Sequence, residues 1–487
     1  MNLKKTLLVV ITVIATQTTY AQYLADALRF SQFQNSSTAR MDAIGGYKSA
    51  IGGDLSSLYG NPAGLGMFSK SEFSFTPSLK LRNNDITFNS KNTSGSSSNV
   101  DLNNAGVVFH AKTYKKGDLN KGLLSLNFGI GYQKKSAFRN DFMYAGTTNL
   151  NGLGDYFAET ASSENATQSN LTSAVNGAAY DSFLIEATSA NPTRYVPNTS
   201  TNSEQIQSVD RTGGSSSIDF TLGANVSNTV FLGASLGLSS FKFTSTEMTN
   251  EVGLYAFNGN NFDYDVNYNR NFNTDGSGIN LKLGMILKPV STLRIGLAFE
   301  SPTWYTVTDN YSEELNNPLD NINGTDDYPF EYQLRTPTKL NGGISYFFGD
   351  KGFISADLGF VDYSSIQFTS SDSRTDLNTN TDIKQTYKNA INYSVGGEYR
   401  IQPNLLLRVG YQLTGNPYKN LNNKDFEISA YSGGFGYRFG AYYLDMSIIN
   451  SNNKLFYSNY SLSDSSEPVS TIETRNNSVA LTFGVRF

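Results

Sequence analysis

Apolar and polar side chains alternate along most of this chain. In the last run, Val479, Leu481, Phe483, Val485 and Phe487 share one face, and Ser478, Ala480, Thr482, Gly484 and Arg486 share the other. A period of two is what a strand imposes. Thirteen earlier runs follow the same rule, starting near Phe73, Val107, Leu124, Ile218, Val230, Ile279, Leu293, Leu340, Ile354, Tyr393, Leu405, Tyr431 and Tyr442. The links between runs alternate in length. Those at 116–122, 227–229, 289–292, 349–352, 402–404 and around Gly440 are short. The others are long and rich in Asn, Ser, Thr and Asp. Fourteen strands with strictly alternating links predict an all-β, 14-stranded antiparallel transmembrane β-barrel, with short periplasmic turns, long outer loops and both termini periplasmic. A β-sandwich gives no reason for that regularity.

The same alternation sends strand charges inward, because an Arg or Lys facing lipid at midplane costs roughly 2–4 kcal/mol. The candidate lumen charges are Arg82, Lys282, Arg294, Arg400, Arg408 and Arg438, with Lys80, Glu300, Asp357, Glu398, Asp445 and Arg486 beside them. Their plain role is to pair with one another and pin whatever fills the lumen. A sharper role is that one of them meets a carboxylate head group; the sequence does not say which.

Before Phe73 the pattern changes. Residues 22–71 carry Gly45, Gly46, Gly52, Gly53, Gly60, Gly64 and Gly66, too dense for regular structure. Such a segment suits close backbone packing inside a barrel, as an N-terminal plug. Leu24, Ala27, Leu28 and Phe30 predict a short helix at its start. Tyr59 and Phe68 flank an Asn61-Pro62 turn and are placed to wedge it against the lumen. Residues 1–21 read as a secretory signal: Lys4 and Lys5, an apolar core at 7–15, and a small-x-small site ending at Ala21. The division is therefore 1–21 signal, 22–71 plug and 72–487 barrel. The longest loop, about 140–213, holds Leu171, Val175, Ala178 and Ala179 at helical spacing. It is expected to place one or two short helices at the mouth, with Leu171 and Val175 as candidate apolar contacts for a ligand. Packing of the loop on itself and its neighbours is the plainer alternative.

Composition narrows the class. Charged residues are 16%, where soluble domains average about 25%. There are 30 Tyr, 32 Phe and 43 Gly, and the mean hydropathy is −0.35, unlike a helical membrane protein. With no Cys and a single His, His110, no thiolate, Ser–His or multi-His metal chemistry is available. A net charge of −5 gives a nucleic-acid partner no support. Glu313-Glu314 and Asp326-Asp327 are donors of the kind Ca²⁺ takes, but solvated loop charges are the simpler reading. Gly433 to Gly436 lies within a strand run, so it is no phosphate loop, and Trp304 fits an interfacial belt. We expect no catalytic residue, metal or cofactor.

Gly45-Gly46, Gly52-Gly53-Asp54 and Asn61-Pro62-Ala63-Gly64-Leu65 resemble the N-terminal hatch of the FadL family of outer-membrane transporters for hydrophobic compounds. Ala27 to Ser31 and Thr38 to Met41 resemble the hatch opening of its Bacteroidetes-type subgroup. The resemblance implies fourteen strands and uptake of long-chain fatty acids or hydrocarbons. It implies that Asn61, Pro62, Ala63 and Gly64 form a plug gate beside a kinked wall strand, near a lateral gap. Ligand displaces the gate and leaves sideways into the membrane. Arg335-Thr336-Pro337-Thr338 looks like the family's Pro-containing strand entry. The terminal Phe487 resembles the signal read by the barrel assembly machinery. The partners implied are a hydrophobic small molecule, outer-membrane lipid and lipopolysaccharide. Two alternatives remain: a type IX secretion-associated barrel with a protein partner, and a polar-solute porin.

Overall fold

The structure is a computed structural model that describes residues 18–32, 37–113, 121–200, 202–421 and 423–487. Most of the expected signal segment, 1–17, lies outside them. The described chain opens with helix α1 (Thr18–Arg29) and the short helix α2 (Ala39–Asp42), followed by 3₁₀ turns at Leu55–Leu58 and Pro62–Met67.

Twenty strands follow. β1 (Glu72–Phe88), β2 (Lys91–Lys112), β3 (Leu123–Ala137) and β4 (Phe142–Thr148) lead to helices α3 (Leu153–Ser163) and α4 (Ala174–Asp181). β5 (Ile185–Thr188) and β6 (Asn191–Pro197) form a separate small sheet. Then come β7 (Ser203–Val226), β8 (Val230–Phe257), β9 (Asn260–Val290), β10 (Leu293–Glu300), β11 (Trp304–Asn317), β12 (Ile322–Arg335), β13 (Lys339–Phe347), β14 (Gly352–Asp362) and β15 (Gln367–Ser370). Helix α5 (Ser373–Thr386) precedes β16 (Asn389–Gln402) and β17 (Leu405–Thr414), and helix α6 (Asn423–Phe426) precedes β18 (Ile428–Phe439), β19 (Tyr442–Tyr457) and β20 (Ser470–Arg486).

Pairing closes eighteen of these strands into one antiparallel barrel of fourteen staves, β20 returning to β1 from Glu72–Arg486 to Thr87–Thr471. Four staves are each made of two pieces: β3 with β4, β10 with β11, β12 with β13, and β14 with β15. Each of the fourteen expected runs falls on one stave. Closure joins the first stave to the last, as a sheet in lipid requires.

The long links differ from expectation. Three of them, β1–β2, β8–β9 and β11–β12, are not irregular loops but continuations of the strands in water. β1 and β2 meet at Asn89-Ser90, and β8 and β9 at Asn258-Gly259, both turns with positive φ. Beyond the membrane the outward positions have no need of apolar side chains. Ser, Thr and Asn fill them while the ladder goes on, so hydropathy fades before pairing does. Where β14 stops pairing β16, at Asp362–Asn389, α5 covers the edge. The Asn380 amide donates to the Phe368 carbonyl (2.8 Å) and accepts the Phe368 N–H (2.9 Å), standing in for a strand.

Candidate functional site

The lumen is filled from below by the plug. Asn61 caps the Pro62–Met67 turn: its Oδ1 accepts the Ala63 N–H (3.1 Å) and its Nδ2 donates to the carbonyls of Ser49 (2.6 Å) and Met285 (3.3 Å). Gly64 closes the turn onto the Gly53 N–H (3.1 Å). Pro62 and Ala63 rest on Gly233 of β8 and Gly284 of β9. A Cβ at Gly284 would collide with the Asn61 side chain, and one at Gly233 with the Pro62 carbonyl. The β8–β9 ladder beneath them is unbroken. The gate turn therefore sits on intact wall, not beside a strand break.

The break is elsewhere, in the third stave. β3 bulges between Lys134 and Ser136, and its ladder with β2 runs from Lys112–Ser125 only to Asn104–Gln133. Above that rung β3 and β4 pair with β7 alone, while β2 pairs with β1 alone. The wall is split. Val100 and Leu102, outward on β2 beside the split, are 73% and 42% exposed, so it opens within the apolar band. Side chains bridge it: Lys134 pairs with Asp101, and Asn84 donates to Asn140 Oδ1 and the Asp141 carbonyl (both 3.2 Å). At its lower corner stands Tyr59. The Tyr59 hydroxyl lies 3.1 Å from the Ala105 carbonyl and 2.9 Å from the Tyr132 carbonyl, next to the last rung. Gly131 makes room for it, since a Cβ there would strike the hydroxyl.

Between plug, split and upper wall lies a cavity of about 520 Å³. Eight cations line it, Arg29, Lys80, Arg82, Lys135, Arg139, Arg211, Lys282 and Lys339, against three carboxylates, Asp42, Glu300 and Asp357. Most of the rest is Asn, Ser and aromatic. Several of the cations are spoken for. Lys282 meets Asp219 (2.5 Å) and Arg211 meets Glu247 (2.7 Å). Arg82 differs: its Nε donates to Asn476 Oδ1 (2.9 Å), and it joins no ion pair among the described residues. It faces Ser97 of β2, itself on the cavity wall.

Of the other expected lumen charges, Arg408 is fully buried between Glu398 and Asp445 (2.7 Å each), and Arg40 of the plug reaches the same Glu398 (2.9 Å). That network pins the plug to the wall. Arg438 joins it through Asp445 (2.9 Å). Arg400 is exposed near the 403–404 turn, at the rim and not in the lumen. Arg294 lies beneath the plug, over the Phe347 ring. Inside the plug, burial pushes the Asp42 carboxyl up to about 7 despite the Ser37 N–H it accepts, and burial pulls the Lys48 ammonium down to about 8 against the attraction of Asp357.

Over the mouth, α3 and α4 form a packed lid. Val175 is buried among Leu153, Phe157, Tyr268 and Leu315, and Leu171 is half-buried at the edge. Asp326 takes the N-terminal donors of α4, the Ala174 and Val175 N–H groups (3.0 Å each), and Glu313 accepts the hydroxyls of Tyr268, Tyr311 and Tyr328. The loop packs on neighbouring loops through these contacts. In the outward lumen, α1 lies on an aromatic wall, with Phe30 stacked on Phe241 and Tyr23 against Phe330, Tyr332 and Phe368.

Sequence reasoning missed the split. Its trace is legible in hindsight at Gln133-Lys134-Lys135-Ser136, where two adjacent cations cannot both face inward on a regular strand.

A family model described as outer membrane protein transport protein (OMPP1/FadL/TodX) matches residues 187–486. The chain belongs to this family. No curated protein sequence matches it. Among solved structures, the P. putida toluene transporter TodX is similar at 12% identity and a TM-score of 0.53, covering 94% of this chain and 99% of that one. A Pseudomonas aeruginosa FadL homologue gives 11% and 0.54 over 93% and 99%, and the CymD monoaromatic hydrocarbon channel 14% and 0.51 over 93% and 99%. At such identities the likeness is of fold alone. Membership of the FadL/TodX family makes this an outer-membrane protein in a family of channels for hydrophobic compounds.

Proposed function

We propose that the protein takes up hydrophobic molecules with an anionic head group, long-chain fatty acids foremost, by displacing its plug and releasing them sideways through the β2–β3 split. One observation carries the reading: the ladder ends within the apolar band, and the cation-lined cavity reaches that point. A chain leaving there enters lipid without passing through bulk water, which would cost about 0.8 kcal/mol per CH₂. The head group needs a counter-charge on the way, and Arg82, without an ion-pair partner, supports that role. Tyr59 is the closing residue. Movement of the plug withdraws its hydroxyl from the last rung and frees the corner of the split.

Toluene, the solute named for TodX, would give Arg82 nothing to bind. The test is therefore uptake of labelled oleate and labelled toluene by cells with and without the protein. Arg82→Gln is expected to slow oleate about tenfold, the worth of one charge-assisted contact, and to leave toluene unchanged. Asn99→Trp, on the cavity wall beside the split, is expected to slow both. If neither solute depends on the protein, the proposal fails, and a stable surface-protein partner would then favour the secretion reading.

A further inference from the structure

Below the plug lies a second cavity, of about 600 Å³, which the uptake route leaves unused. The plug roofs it at Gly52, Gly53 and Met67 to Ser69, and the short-turn rim surrounds it. Lys112, Lys288 and Arg294 line it, and no Asp or Glu does among the described residues.

Arg294, like Arg82, differs from the other inward arginines, and it alone of the two has a buried Nε without a hydrogen-bond partner. Arg40, Arg211, Arg270 and Arg408 each meet a carboxylate. Arg294 joins no ion pair among the described residues. Its guanidinium lies 4.0 Å over the Phe347 ring, one terminal nitrogen touches the Met67 sulfur at 3.4 Å, and its buried Nε has no hydrogen-bond partner. A buried donor left unpaired costs on the order of 1–3 kcal/mol, more for a charged group. A ring below and a thioether beside it hold the fork rigid, the arrangement that favours bidentate capture of a carboxylate or phosphate. Lys112 and Lys288 line the same cavity. Met67, Phe68 and Phe231 offer an apolar strip alongside.

We propose that this vestibule binds the carboxylate or phosphate head group of an amphiphile at the periplasmic face. Arg294 is the principal ligand, Lys112 and Lys288 are secondary, and the start of the acyl chain lies along Met67 and Phe68. Two sources share this chemistry: a carboxylate that has passed the plug, and a phospholipid of the periplasmic leaflet. The site does not depend on the lateral route, and either reading can fail alone.

The chain has no Cys, so Ser69→Cys gives one attachment point for an environment-sensitive fluorophore at the cavity edge. Purified full-length protein in detergent is titrated with decanoate, decanol and inorganic phosphate. It is then placed in nanodiscs of phosphatidylcholine with and without phosphatidylglycerol. A saturable signal is expected with decanoate and none with decanol. Arg294→Gln should weaken it about tenfold or more, the loss of a bidentate charge-assisted pair. Lys112→Gln with Lys288→Gln should weaken it less. Far-UV circular dichroism and heat-modified gel mobility show which variants keep the barrel. A signal from phosphatidylglycerol alone that is lost in Arg294→Gln supports the site and names the lipid as its source. Equal affinity in Arg294→Gln and the parent, or equal response to decanol and decanoate, overturns the proposal.

Discussion

Two of the places where the plug meets the wall are built in opposite ways. On the β8–β9 side, Asn61 to Ala63 lie in a socket of glycines over an unbroken ladder, the Pro62 backbone against Gly233 and the Asn61 side chain against Gly284. On the β2–β3 side, Leu58 packs on Gly106, Gly129 and Gly131 below the split, and at the split itself the Tyr59 hydroxyl alone reaches two carbonyls at the end of a ladder that has already parted. Close packing over continuous pairing is an all-or-none contact, because a socket of this shape accepts nothing bulkier. A lone hydrogen bond is worth about 1 kcal/mol and breaks thermally. Under the proposed route, the socket anchors the plug and the Tyr59 hydroxyl is the part that lets go. The family resemblance placed the gate at Asn61-Pro62-Ala63; the geometry supports dividing that task between Asn61 and Tyr59.

The most disruptive way to break the comparison is to fill the anchor. Gly284→Leu is expected to drive the Asn61 turn out of its socket and cost about 3 kcal/mol or more in plug docking. Single-channel recording should then show open-lumen conductance that the parent lacks. A silent Gly284→Leu channel would show that the socket does not hold the plug. Next in size is a pH effect. Asp42 keeps its proton to about pH 7 when docked but only to about pH 4 when free. The docked state thus binds the extra proton between those values, and docking weakens as pH rises through them. Protease access to the plug should rise at least several-fold from pH 5 to pH 8, and Asp42→Asn should flatten the profile. The mildest change is Tyr59→Phe. It removes one hydroxyl and leaves the ring packed, so oleate uptake should rise about fivefold, in line with about 1 kcal/mol, with thermal stability unchanged. Lower uptake in Tyr59→Phe would mean the hydroxyl guides cargo instead of closing the split.

How much of this was readable in the sequence follows from what side chains must do in lipid. Leu281, Leu283 and Met285 face hydrocarbon on every second position, so the staves announced themselves. Above the membrane that constraint lapses. Thr244 to Thr249 and Asn267 to Asn273 read as loop although they form one continuous ladder. The gate residues were legible as a turn, because Pro62 fixes φ and Asn61 can cap. Their seat on Gly233 and Gly284 was not, since those glycines lie far off in sequence and sit in ordinary alternation. The counter-ions were equally hidden: Arg408 reads the same as Arg82 on its strand, and only the strand register sets Glu398 directly across from the one, with Asp445 two strands on, while the other faces Ser97 and Asn476.

The β8–β9 hairpin carries one last implication. β8 spans 28 residues, roughly 90 Å along the strand at about 3.3 Å each. A tilt of about 40° leaves most of that as height, against an apolar band of about 25 Å. The Asn258-Gly259 turn is therefore the part of the molecule that an antibody or a phage tail arriving at the cell would touch early. An epitope inserted there should report on surface display while leaving plug, split and cavity undisturbed.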